Sequence, residues 1–186
     1  MKKVFGLLLA TVLASSVNAA LITETHNITA SGAGSVGYTY FDVTTAGNFD
    51  IYTMGPTIDP VLYLFHNDGT LDSADFIASN DDSCSSSQCG LAGSFSNSLI
   101  DEFFLSVGSY IAAISDFGFT QSEAISGLNS NNLTGLASIV VAVGDTDTSG
   151  ASARLSNATS VSEPGTLALL GLGLIGLATV RRQSAK

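Results

Sequence analysis

The 186-residue chain contains no tryptophan, only two histidines and only six lysines or arginines. Between positions 20 and 158 the single basic residue is Arg154, against fifteen Asp and Glu, which gives this segment a net charge of −14. So negative a surface repels nucleic acid, anionic lipid and acidic polysaccharide, and it argues against a nucleic-acid role. The same carboxylates attract divalent cations, and they also keep a protein dispersed in solution.

The lack of histidine and tryptophan weakens the argument for an enzyme. His26 and His66 lie near no nucleophile signature, and we expect both to face solvent. The adjacent acids Asp101-Glu102 are of the type that glycosidases use, but the chain has no tryptophan to stack a sugar. Residues 32–37 fit GxGxxG but precede a strand instead of opening a helix, which argues against a nucleotide site. We predict a protein without catalytic residues, with a secreted hydrolase as the remote alternative.

The N-terminus has the three parts of a secretory signal peptide. Lys2-Lys3 is the basic part, residues 4–13 form an apolar stretch, and small residues follow around Val17-Asn18-Ala19. We predict a signal peptide over residues 1–19 that signal peptidase cleaves after Ala19, with Ala20 as the alternative. Sec-type export is therefore expected.

Long hydrophobic runs are also missing, and the apolar span nearest the C-terminus is short. Residues 166–180 are uncharged, and as a helix they would reach ~22 Å, whereas a bilayer core is ~30 Å thick. Such a segment suits transient membrane insertion better than a permanent anchor, although a single-pass anchor remains the alternative. Arg181 and Arg182 follow the span and would stay in the cytoplasm, with everything upstream outside.

Residues 159–186 as a whole resemble the PEP-CTERM sorting signal of Gram-negative bacteria, in which Pro-Glu-Pro precedes an apolar span and an arginine cluster. Glu163, Pro164, Arg181 and Arg182 match this pattern, and Ser162 stands where the family has its first proline. The resemblance implies recognition and cleavage near the motif by an exosortase, a membrane-embedded protease. It further implies delivery to the cell surface or extracellular matrix, within an exopolysaccharide or biofilm.

Two cysteines, Cys84 and Cys89, enclose four residues. In an exported protein such a pair predicts a structural disulfide, which would stabilise by ~2 kcal/mol through loop closure. A zinc site would require a second pair, and a redox-active pair would more usually read C-x-x-C.

The segment between the signals, residues 20–158, has the pattern of an all-β domain. Apolar residues alternate with polar ones, turn residues interrupt them about every ten positions, and no amphipathic helix of useful length is present. This predicts a single antiparallel β-sandwich. The predicted strands are 38–43, 49–54, 61–65, 76–79, 99–105, 110–115, 137–143 and 152–158.

Within this segment three motifs resemble the bacterial pre-peptidase C-terminal-like domains. They are Asp59-x-x-Leu62-x-Leu64-Phe65-x-x-x-Gly69, then Asn80-Asp81-Asp82, then Leu105-x-x-Gly108-x-Tyr110. The resemblance implies a small jelly-roll sandwich that serves as an accessory module. Ala151-Ser152-Ala153 stands where the family pattern has an aromatic residue in its last strand.

Two groups of oxygen-bearing side chains are candidate Ca²⁺ sites. Asp145-x-Asp147-x-Ser149-Gly150 matches the start of an EF-hand loop, but Ser156 occupies the position of the bidentate glutamate and no flanking helices are predicted. The alternative is a turn whose Asp side chains bond their own backbone. The second group consists of Asn80, Asp81 and Asp82 together with Asp59. A Ca²⁺-dependent carbohydrate- or protein-binding module is therefore the alternative to a structural matrix component.

Overall fold

The computed structural model describes residues 21–29, 31–54, 59–84, 96–130, 137–145 and 150–156. The chain divides into two compact units, residues 1–156 and 157–186, and all described residues belong to the first. The predicted signal peptide, with Ala19 and Ala20, and the predicted span 166–180 lie outside the described ranges. Within those ranges, no helix has the length and apolar character needed to cross a membrane.

The described residues form nine strands, one six-residue helix (α1, Gln121–Ser126) and one 3-10 turn (Ser73–Asp75). The strands are β1 (Ile22–Ile28), β2 (Gly37–Thr45), β3 (Gly47–Met54), β4 (Val61–His66), β5 (Phe76–Asn80), β6 (Leu99–Leu105), β7 (Gly108–Ser115), β8 (Ala137–Asp145) and β9 (Ser152–Leu155). They build a four-stranded sheet in the order β1-β8-β3-β6 and a five-stranded sheet in the order β5-β4-β7-β2-β9. Every pairing is antiparallel. The predicted antiparallel β-sandwich is confirmed.

Strict alternation along the strands builds the main core between the two sheets. In β3 every second residue is buried, and the residue between them is only half-buried. Phe41 and Tyr110 stack with ring centroids 5.6 Å apart, and Ile51 and Leu62 are completely buried in the same cluster. Burial of such side chains stabilises by about 1.5–3 kcal/mol each, so this layer holds the sheets together.

The outer face of the five-stranded sheet carries a second, smaller core. Phe65 and Ile111 alternate with core residues along β4 and β7, so they point away from the main core, and they pack with Phe119 and Ala124. Helix α1 covers this cluster, and the Tyr38 hydroxyl donates to the Ala124 carbonyl. The central strand β7 is therefore buried on both faces.

Strand β1 and helix α1 are not among the predicted elements. Strand β1 reads Ile-Thr-Glu-Thr-His-Asn-Ile, and only Ile22 and Ile28 at its two ends are buried apolar residues. Helix α1 is too short to show a helical periodicity in the sequence, and its formation depends on capping interactions at its two ends. Thr120 and Glu123 form a capping box, and Gly127 ends the helix with a left-handed φ of 77°.

Candidate functional site

Three neighbouring strands of the five-stranded sheet bring four carboxylates to the same end of the sheet. Asp59 precedes β4, Asp81 and Asp82 follow β5, and Asp116 follows β7. Since Leu62 of β4 pairs with Asn80 of β5, and Val61 pairs with Ser115 of β7, the start of β4 lies beside the ends of its two neighbours. We call Asp59, Asp81, Asp82 and Asp116 the acidic corner.

The acidic corner is electrostatically unfavourable as it stands. Burial raises the pKa of Asp59, and the charges of Asp82, Asp81 and Asp116 raise it further. Burial also raises the pKa of Asp81, with a smaller contribution from Asp82. Among the described residues, the buried Oδ1 atom of Asp59 has no hydrogen-bond partner, which is costly for a carboxylate. A cation bound here would reduce the repulsion between the carboxylates and would give the unpaired oxygen a partner.

Asn80, the remaining member of the predicted group, has a structural partner. Its Oδ1 accepts a hydrogen bond of 3.0 Å from the backbone N–H of Leu99, which links the end of β5 to the start of β6 in the other sheet. Among the described residues, no group of three or more His, Cys, Asp or Glu side chains is arranged to hold a metal ion. The Ca²⁺ site at Asp59, Asn80, Asp81 and Asp82 therefore stays a prediction.

Asp116 is the member of the acidic corner that the sequence analysis did not identify. It is 1% exposed, and its Oδ1 accepts from the backbone N–H of Phe117 at 2.8 Å. A single Asp after an apolar strand forms no local sequence motif that would indicate a binding site. Only the register of β7 beside β4 places it near Asp59.

The second predicted Ca²⁺ group cannot be placed as a whole. Asp145 is the last residue of β8 and pairs with Phe49 of β3, while Gly150 adopts a left-handed φ of 79°. Asp147 and Ser149 lie outside the described residues, so this EF-hand-like loop stays a prediction.

Cys84 lies in a small buried cluster with Leu99 and the partly buried Tyr52. It is 2% exposed, and its backbone N–H donates to the Asn97 carbonyl at 3.0 Å. No cysteine in the described part of the chain is free. Because Cys89 lies outside that part, the Cys84–Cys89 disulfide stays a prediction.

The two histidines have different environments. His66 is exposed, as predicted, and its ring lies 5.2 Å from that of Tyr110. The prediction for His26 is wrong, because its side chain is only 14% exposed and its Nε2 lies 2.8 Å from Thr39 Oγ1. Thr39 is completely buried, so this hydroxyl cannot reach a substrate.

The acid pair Asp101-Glu102 lies on the edge strand β6 and is exposed. Glu102 adopts a left-handed φ of 45°, and its backbone N–H donates to Asp50 Oδ1 at 2.8 Å. Asp50 lies where the register between β3 and β6 shifts. The backbone bond to Asp50 is thus a structural contact at an irregular sheet edge.

A family model for the PEP-CTERM protein-sorting motif matches residues 160–183. The chain carries a PEP-CTERM sorting signal. Glu163, Pro164, Arg181 and Arg182 all lie within the matched residues, as the resemblance of the tail predicted. The PEP-CTERM signal implies export and exosortase-dependent surface sorting in a Gram-negative bacterium.

Among solved structures, the chain is similar to the pre-peptidase C-terminal domain of a collagenase from Bacillus anthracis. The two are 16% identical, the match covers 68% of this chain and 89% of that domain, and the TM-score is 0.40. None of the curated proteins compared with the chain matches it.

Proposed function

We propose that this protein is a non-catalytic component of the cell surface or extracellular matrix, with a structural or interaction role in exopolysaccharide or biofilm. Signal peptidase removes residues 1–19, and an exosortase-type protease then processes the chain near Glu163-Pro164. The observation that carries the proposal is the sorting motif at residues 160–183, because such a tail delivers the preceding domain outside the inner membrane.

The features of the domain are consistent with such a role. The segment 20–158 has fifteen acidic residues and one arginine, a charge that keeps a protein dispersed in a hydrated matrix. The contact between His26 and Thr39 resembles a nucleophile–base pair only in its distance. Its threonine is completely buried, so the pair supports the folding of the sandwich and not catalysis.

The first test is the intact mass of the protein recovered from its native envelope and medium. We expect loss of residues before Ala20 and after about Ser162, with extra mass where the chain is attached to other material. The double variant Glu163→Gln/Pro164→Ala should keep the C-terminal tail, whereas the control Asn157→Ala, which lies outside the matched motif, should be processed normally. A native chain that still ends at Lys186 would contradict exosortase processing.

The matrix role is tested by fractionation of the native cells. We expect the processed protein in the extracellular polysaccharide fraction, and release into the medium when that polysaccharide is digested enzymatically. Recovery of the processed protein only as free material in the medium would contradict a matrix role without affecting the sorting assignment.

We also propose, as a second function, that the acidic corner binds Ca²⁺ and that this stabilises the domain or a ligand site on it. The observation in favour is Asp59, whose buried Oδ1 has no hydrogen-bond partner in the part of the chain that the structure describes. Its pKa is raised by burial and then by the charges of Asp82, Asp81 and Asp116. Oxygen ligands of this type suit a hard cation. Asp59 would supply a carboxylate ligand, and the negative charges of Asp81, Asp82 and Asp116 would attract the cation without closing around it as a set.

Thermal unfolding with Ca²⁺ or a chelator tests this second proposal. A cation at a hundred times its dissociation constant stabilises by about 2.7 kcal/mol, which would raise the Tm by roughly 5–10 °C in a domain of this size. Asp59→Asn should abolish the Ca²⁺-dependent shift, and the control Asp68→Asn, in the exposed turn after β4, should keep it. A wild-type Tm that is the same in millimolar Ca²⁺ and in chelator would overturn the proposal.

A further inference from the structure

The only lysine or arginine between residues 20 and 158 lies on the outer face of the five-stranded sheet. Arg154 of the edge strand β9 pairs in register with Asp42 of β2, and its Nε lies 3.5 Å from Asp42 Oδ2. The Arg154 side chain is 52% exposed and that of Asp42 is 22% exposed. Within the described part of the chain, the terminal nitrogens of Arg154 make no hydrogen bond, so they are available to a ligand.

Hydroxyl groups surround this ion pair on three strands. Asp42 Oδ1 accepts from Ser109 Oγ of β7 at 2.8 Å and from Ser156 Oγ at 3.0 Å. Thr44 Oγ1 lies 2.7 Å from Ser152 Oγ of β9. The two bonds from Ser109 and Ser156 hold the Asp42 carboxylate in one orientation, so the ion pair is a pre-organised feature of the sheet surface.

The ion pair lines a shallow concavity of about 440 Å³. Its other lining residues are Val43, Thr44, Val107, Gly108 and Ser109, which belong to β2 and to the turn into β7. Val107 is 66% exposed and supplies an apolar wall. Tyr40 points to the same side of β2 as Asp42, two residues and therefore about 7 Å along the strand, and the residue is 38% exposed.

We infer that this concavity, the Asp42–Arg154 pocket, binds the hydroxyl groups of a neutral polysaccharide. The inference rests on the proposed matrix function and names the ligand class for it. The planar guanidinium donates two parallel hydrogen bonds, which suits neighbouring sugar hydroxyls, and the Asp42 carboxylate accepts from a third. Val107 and Tyr40 offer apolar surface to the C–H face of a sugar ring.

The charge of the site favours a neutral ligand over an acidic one. Asp42 compensates the charge of Arg154 at 3.5 Å, so an incoming carboxylate would meet a neutral pair instead of a free cation. The rest of the domain carries a large excess of negative charge, which repels an anionic polymer within the Debye length of ~10 Å at 0.1 M salt. A neutral chain of hexoses experiences no such repulsion.

Affinity electrophoresis of the processed protein, recovered from its native source, tests the inference. The neutral probes are dextran, hydroxyethyl cellulose and galactomannan, and the acidic probe is alginate. We expect retardation by at least one neutral polymer and none by alginate. Arg154→Gln should weaken the association with that polymer by about tenfold, the change that the loss of one good hydrogen-bonding group produces.

Matched variants distinguish a loss of binding at the pocket from a loss caused by net charge or by unfolding. Asn27→Asp changes the net charge by −1, as Arg154→Gln does, but at an exposed position of β1 in the other sheet, so it should bind like the wild type. Arg154→Lys keeps the charge and loses the planar fork, so it should bind like Arg154→Gln. Thr44→Val removes an exposed hydroxyl from the pocket and should also weaken binding. Thermal unfolding at the wild-type temperature shows that each variant is folded.

The inference is overturned if no neutral polymer retards the wild type, if alginate retards it more strongly, or if Arg154→Gln and the wild type bind equally. Cell fractionation distinguishes this failure from failure of the proposed function. Protein that stays in the matrix fraction without binding through Arg154 would overturn the pocket alone. Protein that binds a neutral polymer through Arg154 but is absent from the matrix fraction would overturn the matrix role alone.

Discussion

His26 Nε2 on one sheet lies 2.8 Å from Thr39 Oγ1 on the other sheet. His26 belongs to the edge strand β1, and Thr39 belongs to β2 near the centre of the five-stranded sheet. The contact therefore ties the two layers of the sandwich at a position where β1 offers no apolar residue. A histidine in this place makes the packing of the sheets dependent on its protonation.

We expect the free energy of unfolding to fall as the pH drops below 6.5, because of His26. Burial lowers its pKa, and the nearby Glu24 raises it only in part. The unfolded chain thus takes up the proton at a higher pH than the folded chain does. The stabilisation is fully present above 6.5 and is lost as the pH falls from there through the folded pKa. Denaturant unfolding between pH 7.5 and 5 should show this slope.

The variant His26→Gln should flatten the slope, while the exposed control His66→Gln should keep it. An unchanged slope in His26→Gln would assign the pH dependence to other groups.

Gly37 lies directly under the His26 ring, and we expect Gly37→Ala to cost about 1–3 kcal/mol through overpacking. A Cβ at Gly37 would lie 2.7 Å from His26 Cγ and 2.8 Å from His26 Cβ, closer than real Cβ atoms come. Gly108→Ala is the matched control, because the nearest atoms to a Cβ there belong to Tyr110 and lie at ordinary contact distances of 3.7 Å or more. Chemical denaturation of both variants measures the difference.

A double-mutant cycle with His26→Ala tests the cause, since removal of the ring should recover most of the cost of Gly37→Ala. Additive effects of the two substitutions would show that the histidine is not the obstacle.

Asn129 closes a buried polar network beyond α1, and we expect Asn129→Ala to cost about 2–3 kcal/mol. Its Nδ2 donates to Ser115 Oγ at 2.7 Å, and its backbone N–H donates to Ser35 Oγ at 2.8 Å. Truncation leaves the Ser115 hydroxyl without this donor in a completely buried site. The control Asn27→Ala, exposed on β1, should stay within about 0.5 kcal/mol of wild type in thermal unfolding. Equal effects at the two positions would contradict the role of the network.

Asp50 is a site where loss of a charge should stabilise the domain. Burial raises its pKa, and the charges of Asp101 and Glu102 raise it further against the lowering effect of the Glu102 backbone bond. Its favourable contribution is present below the unfolded pKa of about 3.8 and is lost as the pH rises through the folded pKa. Asp50→Asn keeps an oxygen for the Glu102 N–H and should gain roughly 0.5 kcal/mol at pH 7, because partly exposed charges couple weakly.

The gain should shrink as the pH is lowered through the raised pKa of the wild-type carboxyl, because the protonated group carries no charge. Urea unfolding at pH 7 and pH 4 measures both values, with Asp68→Asn as the control for the loss of one negative charge. A gain that is the same at both pH values would contradict the electrostatic explanation.

Several elements could be predicted because their signals are local. Strand β6 was predicted at its observed bounds, 99–105, since its apolar residues lie between turn residues. The bounds of β2, β3, β4, β5 and β7 differ from the prediction by at most two residues at either end. In contrast, β1 was missed because polar residues occupy most of its length, and α1 was missed because six residues carry no periodicity.

The amino-acid sequence by itself determined the sorting motif, the acidic charge and the all-β class, because linear patterns of residues specify each of them. Only the tertiary structure decided which strands became neighbours, since strand pairing depends on contacts between residues far apart in the chain. Pairing of β4 with β5 and β7 brings Asp59, Asp81 and Asp116 to the same end of the sheet. Pairing of β2 with β9 places Arg154 beside Asp42. Both candidate sites are therefore products of sheet register.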